Sequence, residues 1–356
     1  MEINIKNIDA FGKNIILVLG GSFLVSSINL LYQLIIAHQL SPVEFATFNS
    51  LLSLFMLIAA PLGTLQPAVA KYSAEFHARN DINKVTALFS FFSKKVLVMA
   101  LVSCFMFYFV FSFIIPKLKI ASFSFSFILP AMLLFAWLMP VLLGGLQGLE
   151  FFKWLIIVSV IGGGLKLLLT IIFLKIGFGV TGALGGFLAS SVIITAIALF
   201  SLKRFFKFGR IASEGINFKD IAYYLFPVAI TTTCYIGLVN LDMVLVKYFF
   251  SPEDAGIYSL AQIAGKIFLF IPGAISIVMF PRVSRLNAKN ENTTATLKRS
   301  LIYGSLLCIA AVIFYNLFPA FVMKILTGKV LPESIRLGRI FSISMTFFAL
   351  LYILVN

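Results

Sequence analysis

Three ionisable side chains lie inside apolar stretches of this sequence: Lys166, Asp242 and Lys266. A charge within a membrane costs about 2.5–3.5 kcal/mol on insertion scales, so each such residue is a candidate functional group. Asp242 lies nine residues before the turn at 251–256 and Lys266 lies ten residues after it, so each is roughly 13–15 Å of helix from the turn. We therefore expect either a structural ion pair between neighbouring helices or a cavity lining in which Lys266 binds an anion.

Lys166 differs from the other two because no carboxylate lies near it in the sequence. It stands in GGGLKLLL, about twelve residues into its apolar segment, where snorkelling to the membrane surface is difficult. Snorkelling remains the structural alternative, but the depth favours a cation that faces a cavity. The glycines at 162–164 predict a close approach between helix backbones.

Uncharged polar residues accompany these charges. Asn29 and Gln33 are one turn apart in the first segment, and Asn240 shortly precedes Asp242. Gln262 lies four residues before Lys266 and shares its helix face. These amides suit hydrogen bonds to a polar ligand, or hydrogen bonds between helices. The sequence carries no HExxH, GxSxG or Walker motif and no cysteine pair with metal-ligand spacing, so we expect no enzyme, metal site or cofactor.

Long apolar segments must position these residues. Of the 356 residues, 61% are hydrophobic and 12% are charged, and apolar runs recur along the whole chain. The pattern predicts an all-α polytopic membrane protein. The ten predicted segments are 15–37, 45–69, 87–115, 122–143, 154–175, 179–201, 221–246, 255–280, 300–323 and 338–356.

The net charge of +15 has two interpretations. A basic soluble protein would suggest nucleic-acid binding, but the basic clusters here lack the context of nucleic-acid modules. Lys and Arg instead concentrate in alternate loops, 18 on one side against 8 on the other. The positive-inside rule then predicts a multi-pass protein of the cytoplasmic membrane with a cytoplasmic N-terminus. Lys247 is counted on the outer side.

An internal repeat relates the two ends of the chain. The stretch 38–51 (HQLSPVEFATFNSL) aligns without gaps on 248–261 (YFFSPEDAGIYSLA), an offset of 210 residues. A Ser-Pro helix start explains the dipeptide alone, whereas matched acidic, aromatic and glycine positions favour a parallel repeat. We predict an N-terminal lobe at 1–202, a cytoplasmic linker at 203–219 and a C-terminal lobe at 220–356.

At these motifs, L-S-P-x-E-F-x-x-F and S-P-E-D-A-G-I-Y-S-L, the chain resembles the polysaccharide transporter family. This family belongs to the multidrug/oligosaccharidyl-lipid/polysaccharide exporter superfamily. Ala46 stands where the family's first motif usually has glycine. The resemblance implies a two-lobed flippase-type fold with six helices per lobe. Because about ten helices are predicted here, with four in the second lobe, we expect that either the sequence is a fragment or the second lobe is incomplete, and we favour a fragment.

The resemblance also implies a function. A family member would flip a polyprenyl-pyrophosphate-linked oligosaccharide, the repeat unit of O antigen, capsule or exopolysaccharide, across the membrane. Its partners would be this substrate, membrane lipids, and the polymerase and glycosyltransferases of the same pathway, with no nucleic acid. The alternatives are a cation-coupled multidrug exporter of the same superfamily and a membrane glycosyltransferase. An exporter of cations should carry several intramembrane carboxylates, and a transferase should have sizeable outer loops.

Overall fold

A computed structural model describes residues 5–120, 122–205, 218–269 and 294–355. All regular secondary structure within these ranges is helical. Two short 3-10 turns follow the seventh and ninth helices. The helices are α1 (Ile5–Gln39), α2 (Pro42–Gly63), α3 (Leu65–Ala78), α4 (Ile82–Lys117), α5 (Phe125–Gly148), α6 (Phe152–Lys175), α7 (Gly179–Leu202), α8 (Phe218–Phe249), α9 (Pro252–Lys266), α10 (Thr294–Leu317), α11 (Pro319–Thr327) and α12 (Pro332–Val355).

Nine stretches of the described residues are long and apolar enough to cross a membrane. They correspond in order to nine of the ten predicted segments. The remaining segment, 255–280, begins in α9 and continues into residues 270–293, which lie outside the described ranges. The predicted class, an all-α polytopic membrane protein, is confirmed.

Two predicted segments are each divided between two helices. The segment at 45–69 breaks at Thr64, between α2 and α3, where the Thr64 hydroxyl donates to the Pro61 carbonyl at 2.6 Å. Pro61 has no N–H for the helical ladder, so a kink is expected close to it. The segment at 300–323 breaks at Phe318, and Pro319 then occupies the first turn of α11.

The chain divides into two compact units. The first comprises Met1–Tyr32 and Thr47–Tyr248, and the second comprises Gln33–Ala46 and Phe249–Asn356. These units are defined by contacts within the structure. The predicted lobes are defined by the sequence repeat and the positions of charged residues. The lobe boundaries at 202 and 220 stay a prediction, since most of the linker lies outside the described residues.

In the first unit, α5 packs closely on α3 through two glycines. A Cβ atom added to Gly144 would lie 2.5 Å from the Gln66 carbonyl oxygen, and one added to Gly148 would lie 2.4 Å from that of Ala70. Any side chain at either position would therefore collide with α3 backbone. This close approach lets the buried side chains of α3, α4, α5 and α7 form one apolar core.

In the second unit, both copies of the repeat begin a helix in the same way. The Glu44 backbone N–H donates to the Ser41 hydroxyl at 3.3 Å, and that of Asp254 donates to the Ser251 hydroxyl at 3.1 Å. The acidic side chains accept hydrogen bonds in return, which completes a capping box or a close variant of one. The predicted correspondence of these positions is thus confirmed at the level of backbone capping.

The two repeated turns also contact each other. A Cβ atom added to Gly256 would lie 3.0 Å from the Pro42 carbonyl carbon, so glycine allows the close fit. Lys329 donates from Nζ to the Ala37 carbonyl in the last turn of α1. A cation there complements the helix dipole. Burial lowers the pKa of Lys329, and the charge of Glu44 partly opposes that shift.

Candidate functional site

Lys166 lies between α1 and α7 in the first unit. Its Nζ donates a hydrogen bond to Asn29 Oδ1. The same ammonium lies 4.4 Å from the centroid of the Tyr32 ring and 5.3 Å from that of Phe187. Aromatic faces within about 6 Å attract a cation. Lys166, Asn29, Tyr32 and Phe187 therefore form a cation cage, and both Lys166 and Asn29 are half-buried.

Small residues bring the three helices of the cation cage together. A Cβ atom added to Gly163 would lie 3.3 Å from Ile28 of α1, and one added to Gly162 would lie 3.2 Å from Ile194 of α7. Thr170 lies one turn beyond Lys166 on α6, and a Cβ atom added to Gly186 of α7 would lie 2.7 Å from the Thr170 backbone nitrogen. The predicted role of the glycine run in helix packing is thus confirmed at Gly162 and Gly163.

A second layer of aromatic rings holds the cage rings in place. Phe48 of α2 contacts Tyr32 edge to face at 6.1 Å between centroids, and Phe55 contacts Phe187 in the same manner at 5.9 Å. The Tyr32 hydroxyl donates to the Ala183 carbonyl at 3.3 Å. Tyr32 is 3% exposed, so this bond satisfies a hydroxyl that water does not reach.

The cage holds one charged group, the Lys166 ammonium, and its partners Asn29, Tyr32 and Phe187 are uncharged. Among the described residues, no carboxylate lies within 4 Å of Lys166 Nζ. An ammonium has three N–H donors, and the structure assigns one of them to Asn29. The remaining donors suit an anionic oxygen such as that of a phosphate.

The other predicted site residues lie on α1, α8 and α9. Gln33 follows Asn29 by one turn and is half-buried. Asn240 is 6% exposed and donates to the Ile236 carbonyl at 3.0 Å, while Gln262 is 1% exposed. Asp242 and Lys266 are half-buried. They belong to different compact units, and their ion pair stays a prediction.

The aromatic part of the cage was missed at the sequence level. The rings of Tyr32 and Phe187 were not selected, although Tyr32 lies one turn after Asn29 and could have been found on the same helix face. Lys247, which the charge count assigns to the outer side, lies in the last turn of α8 and is 2% exposed.

Comparison with known protein families gives a match over much of the chain. A family model described as polysaccharide biosynthesis protein matches residues 147–336, more than half of the chain. The matched region includes α6 with Lys166, α7, α8 and α9. No curated protein sequence matches the chain at a significant level.

Solved structures with the same fold are transporters. A multidrug resistance MATE family transporter of the MOP superfamily, in an inward-facing conformation, is 15% identical with a TM-score of 0.70, over 95% of this chain and 84% of that one. The lipid II flippase MurJ, in an inward closed conformation, is 16% identical with a TM-score of 0.67, over 95% and 74%. At these low sequence identities, the structural similarity shows that the chain shares the fold of these proteins. The family match, which covers more than half of the chain, shows that the chain belongs to the polysaccharide biosynthesis protein family.

Proposed function

We propose that the protein flips a polyprenyl-pyrophosphate-linked oligosaccharide across the cytoplasmic membrane by alternating access. The observation that carries the proposal is the cation cage, where Lys166 has an amide and two aromatic faces around it. A pyrophosphate linkage carries about two negative charges, and moving it through a membrane requires basic counter-groups. Lys166 would supply one of these groups, and the neighbouring amides would suit sugar hydroxyls.

Two further findings support this substrate class. The family is described by its part in polysaccharide biosynthesis, and a flippase of lipid II has a similar fold. The expected pathway partners are the glycosyltransferases that build the lipid-linked unit and the polymerase that consumes it. The excess of basic residues in alternate loops favours a cytoplasmic N-terminus, so export would run from the cytoplasmic to the outer leaflet.

A cation-coupled multidrug exporter is the competing proposal, because a MATE family transporter shares the fold. A cationic drug would be repelled by Lys166, unless a carboxylate neutralised the cage. Asp242 is the carboxylate that the sequence places within a spanning segment, and it lies on α8 rather than on a helix of the cage. The sign of the charge in the cage therefore favours an anionic substrate over a cationic one.

The direct test is export in cells that lack their own flippase and make a polysaccharide of known repeat unit. The wild-type protein should restore surface glycan. Lys166→Gln should reduce export by about tenfold, the effect of losing one strong charge-assisted hydrogen bond to phosphate. Lys175→Gln is the matched control, since Lys175 is exposed at the end of the same helix.

Three results would overturn the proposal. The first is normal export by Lys166→Gln at equal protein level. The second is efflux of a cationic dye by the wild-type protein without any glycan export, which would favour the drug exporter. The third is equal loss of export in Lys166→Gln and Lys175→Gln, which would indicate a general effect of removing positive charge from α6.

A further inference from the structure

The first unit contains a second site, a groove of about 700 Å³ beside the kink between α2 and α3. Its volume lies within the range of small-molecule sites, about 300–1,000 Å³. Side chains from α2, α3, α4, α5 and α8 line it, and almost all of them are apolar. Thr64, at the break between α2 and α3, is one of the residues that line the groove.

The polar groups within the groove are already satisfied, apart from one cation. Trp137 Nε1 donates to the Ser103 hydroxyl at 2.9 Å, and the Thr64 hydroxyl donates to the Pro61 carbonyl. The cation is Lys95, which lines the groove and is exposed. Its Nζ lies 4.7 Å from the centroid of the Phe91 ring. The groove therefore presents hydrocarbon to an occupant, with positive charge at one position.

The position of Lys95 fixes how the groove lies in the membrane. Lys95 and Lys117 flank a 21-residue stretch of α4 without any Asp, Glu, Lys, Arg or His. About 20 apolar residues cross the hydrocarbon core, so Lys95 lies at one membrane edge. The lining continues along α4 to Phe107, twelve residues further, or roughly 18 Å into the hydrocarbon.

We propose that this groove binds the isoprenoid chain of a polyprenyl phosphate lipid, with the lipid's phosphate beside Lys95. An apolar channel with an ammonium at the membrane edge matches one long hydrocarbon chain that ends in an anion. A single chain per phosphate fits one channel, whereas a phospholipid would leave its second chain outside. The choice of lipid rests on the proposed function, whose substrate has such a carrier, and in the proposed orientation Lys95 faces the cytoplasmic leaflet.

The test uses the purified full chain in vesicles and a polyprenyl phosphate that carries a photoactivatable diazirine in its chain. Crosslinks should map to α4 and α5 around Met99 and Trp137. Met99 lines the groove and is half-exposed, so the larger side chain of Met99→Trp should fill part of the groove. We expect about tenfold lower labelling, because the isoprenoid chain then has less space to bind. Met106→Trp is the matched control, because Met106 is equally exposed on α4 and does not line the groove.

The head-group contact has its own pair of variants. Lys95→Gln should lower labelling several-fold, whereas Lys94→Gln, at the adjacent exposed lysine outside the lining, should leave it unchanged. Unlabelled undecaprenyl phosphate should compete for the site, and phosphatidylglycerol should not. Equal competition by both lipids would overturn the proposal in favour of a general phospholipid site. Unchanged labelling of Met99→Trp and Lys95→Gln would also overturn it.

Flipping of the lipid-linked oligosaccharide is measured in the same vesicles, so that the two proposals fail separately. Flipping without labelling of α4 and α5 would overturn the groove and leave the proposed function standing. Labelling with the expected variant pattern, but without flipping, would support the groove as a lipid site and count against the proposed function.

Discussion

At the residue scale, the account depends on how Lys166 is held within the membrane. Asn29 supplies a hydrogen bond, and two aromatic faces supply electrostatic attraction without adding negative charge. A carboxylate in their place would stabilise the ammonium more strongly, but it would also neutralise the site. A cation with neutral partners keeps its positive potential for a ligand.

The Tyr32 ring should stabilise the protein through the cation of Lys166. Tyr32→Phe keeps the ring and loses the bond to the Ala183 carbonyl, at a cost of about 1 kcal/mol. Tyr32→Leu removes the ring as well, which should cost a further ~0.5–2 kcal/mol through the lost cation–π interaction. The measurement is the unfolding midpoint in detergent of both variants, each made in the wild-type protein and in the Lys166→Gln variant.

The double-mutant comparison separates this interaction from simple packing. If the ring acts on the cation, Tyr32→Leu should shift the midpoint less in the Lys166→Gln background than in the wild type. Additive shifts would contradict the cage, because they would mean that Tyr32 stabilises the protein only through apolar contacts with Phe48 and its other neighbours.

Sequence reasoning found part of this site. Both Lys166 and Asn29 were selected, because polar groups inside apolar segments carry a cost that requires an explanation. Their pairing was not predicted, since they are 137 residues apart and no local pattern relates them. The aromatic rings were missed because 40 phenylalanines and 11 tyrosines give an aromatic residue little individual weight.

At the element scale, glycines decide where helices approach each other. Gly148 lies against α3, with the Ala70 carbonyl oxygen 2.4 Å from the position of an added Cβ, whereas a Cβ on Gly164 would meet no atom within 4 Å. Gly148 is the last residue of α5 and Gly164 lies inside α6, and both belong to spanning stretches. Their sequence contexts alone would not distinguish them.

We expect opposite effects from substituting these two glycines. Gly148→Ala should destabilise the protein by about 1–3 kcal/mol, the usual cost of overpacking against rigid backbone. Gly164→Ala should be neutral or stabilise by about 0.5–1 kcal/mol, because alanine favours the helix more than glycine does. Unfolding midpoints in detergent would compare the two variants. Shifts of the same sign and size would contradict the described packing of α5 on α3.

The element boundaries show which local signals are reliable. The Ser-Pro-x-acid turns predicted the starts of α2 and α9, because a capping box is encoded within four residues. The breaks at Thr64 and Phe318 were not predicted, since proline and glycine inside apolar segments are equally compatible with continuous helices. Lys247, which the charge count assigns to the outer side, is buried in the last turn of α8.

At the scale of the whole molecule, the fold does not identify the substrate. Proteins with a similar fold include a multidrug transporter and a lipid II flippase, and function depends on the site that the fold carries. The family match indicates a role in polysaccharide biosynthesis. In the proposed function, the positive charge of the cation cage favours an anionic substrate. The composition predicted the membrane class and Lys166 predicted a cationic site, but the partners Asn29, Tyr32 and Phe187 required the structure.

The most direct measurement is the initial rate at which the purified protein flips a fluorescent polyprenyl-pyrophosphate-linked oligosaccharide in vesicles. We expect flipping by the wild-type protein and a rate about tenfold lower for Lys166→Gln, with Lys166→Arg closer to the wild type because it keeps a phosphate-binding cation. Equal unfolding midpoints would show that the variants are folded. A wild-type rate in Lys166→Gln vesicles of equal protein content would contradict the claim that the cage cation serves transport.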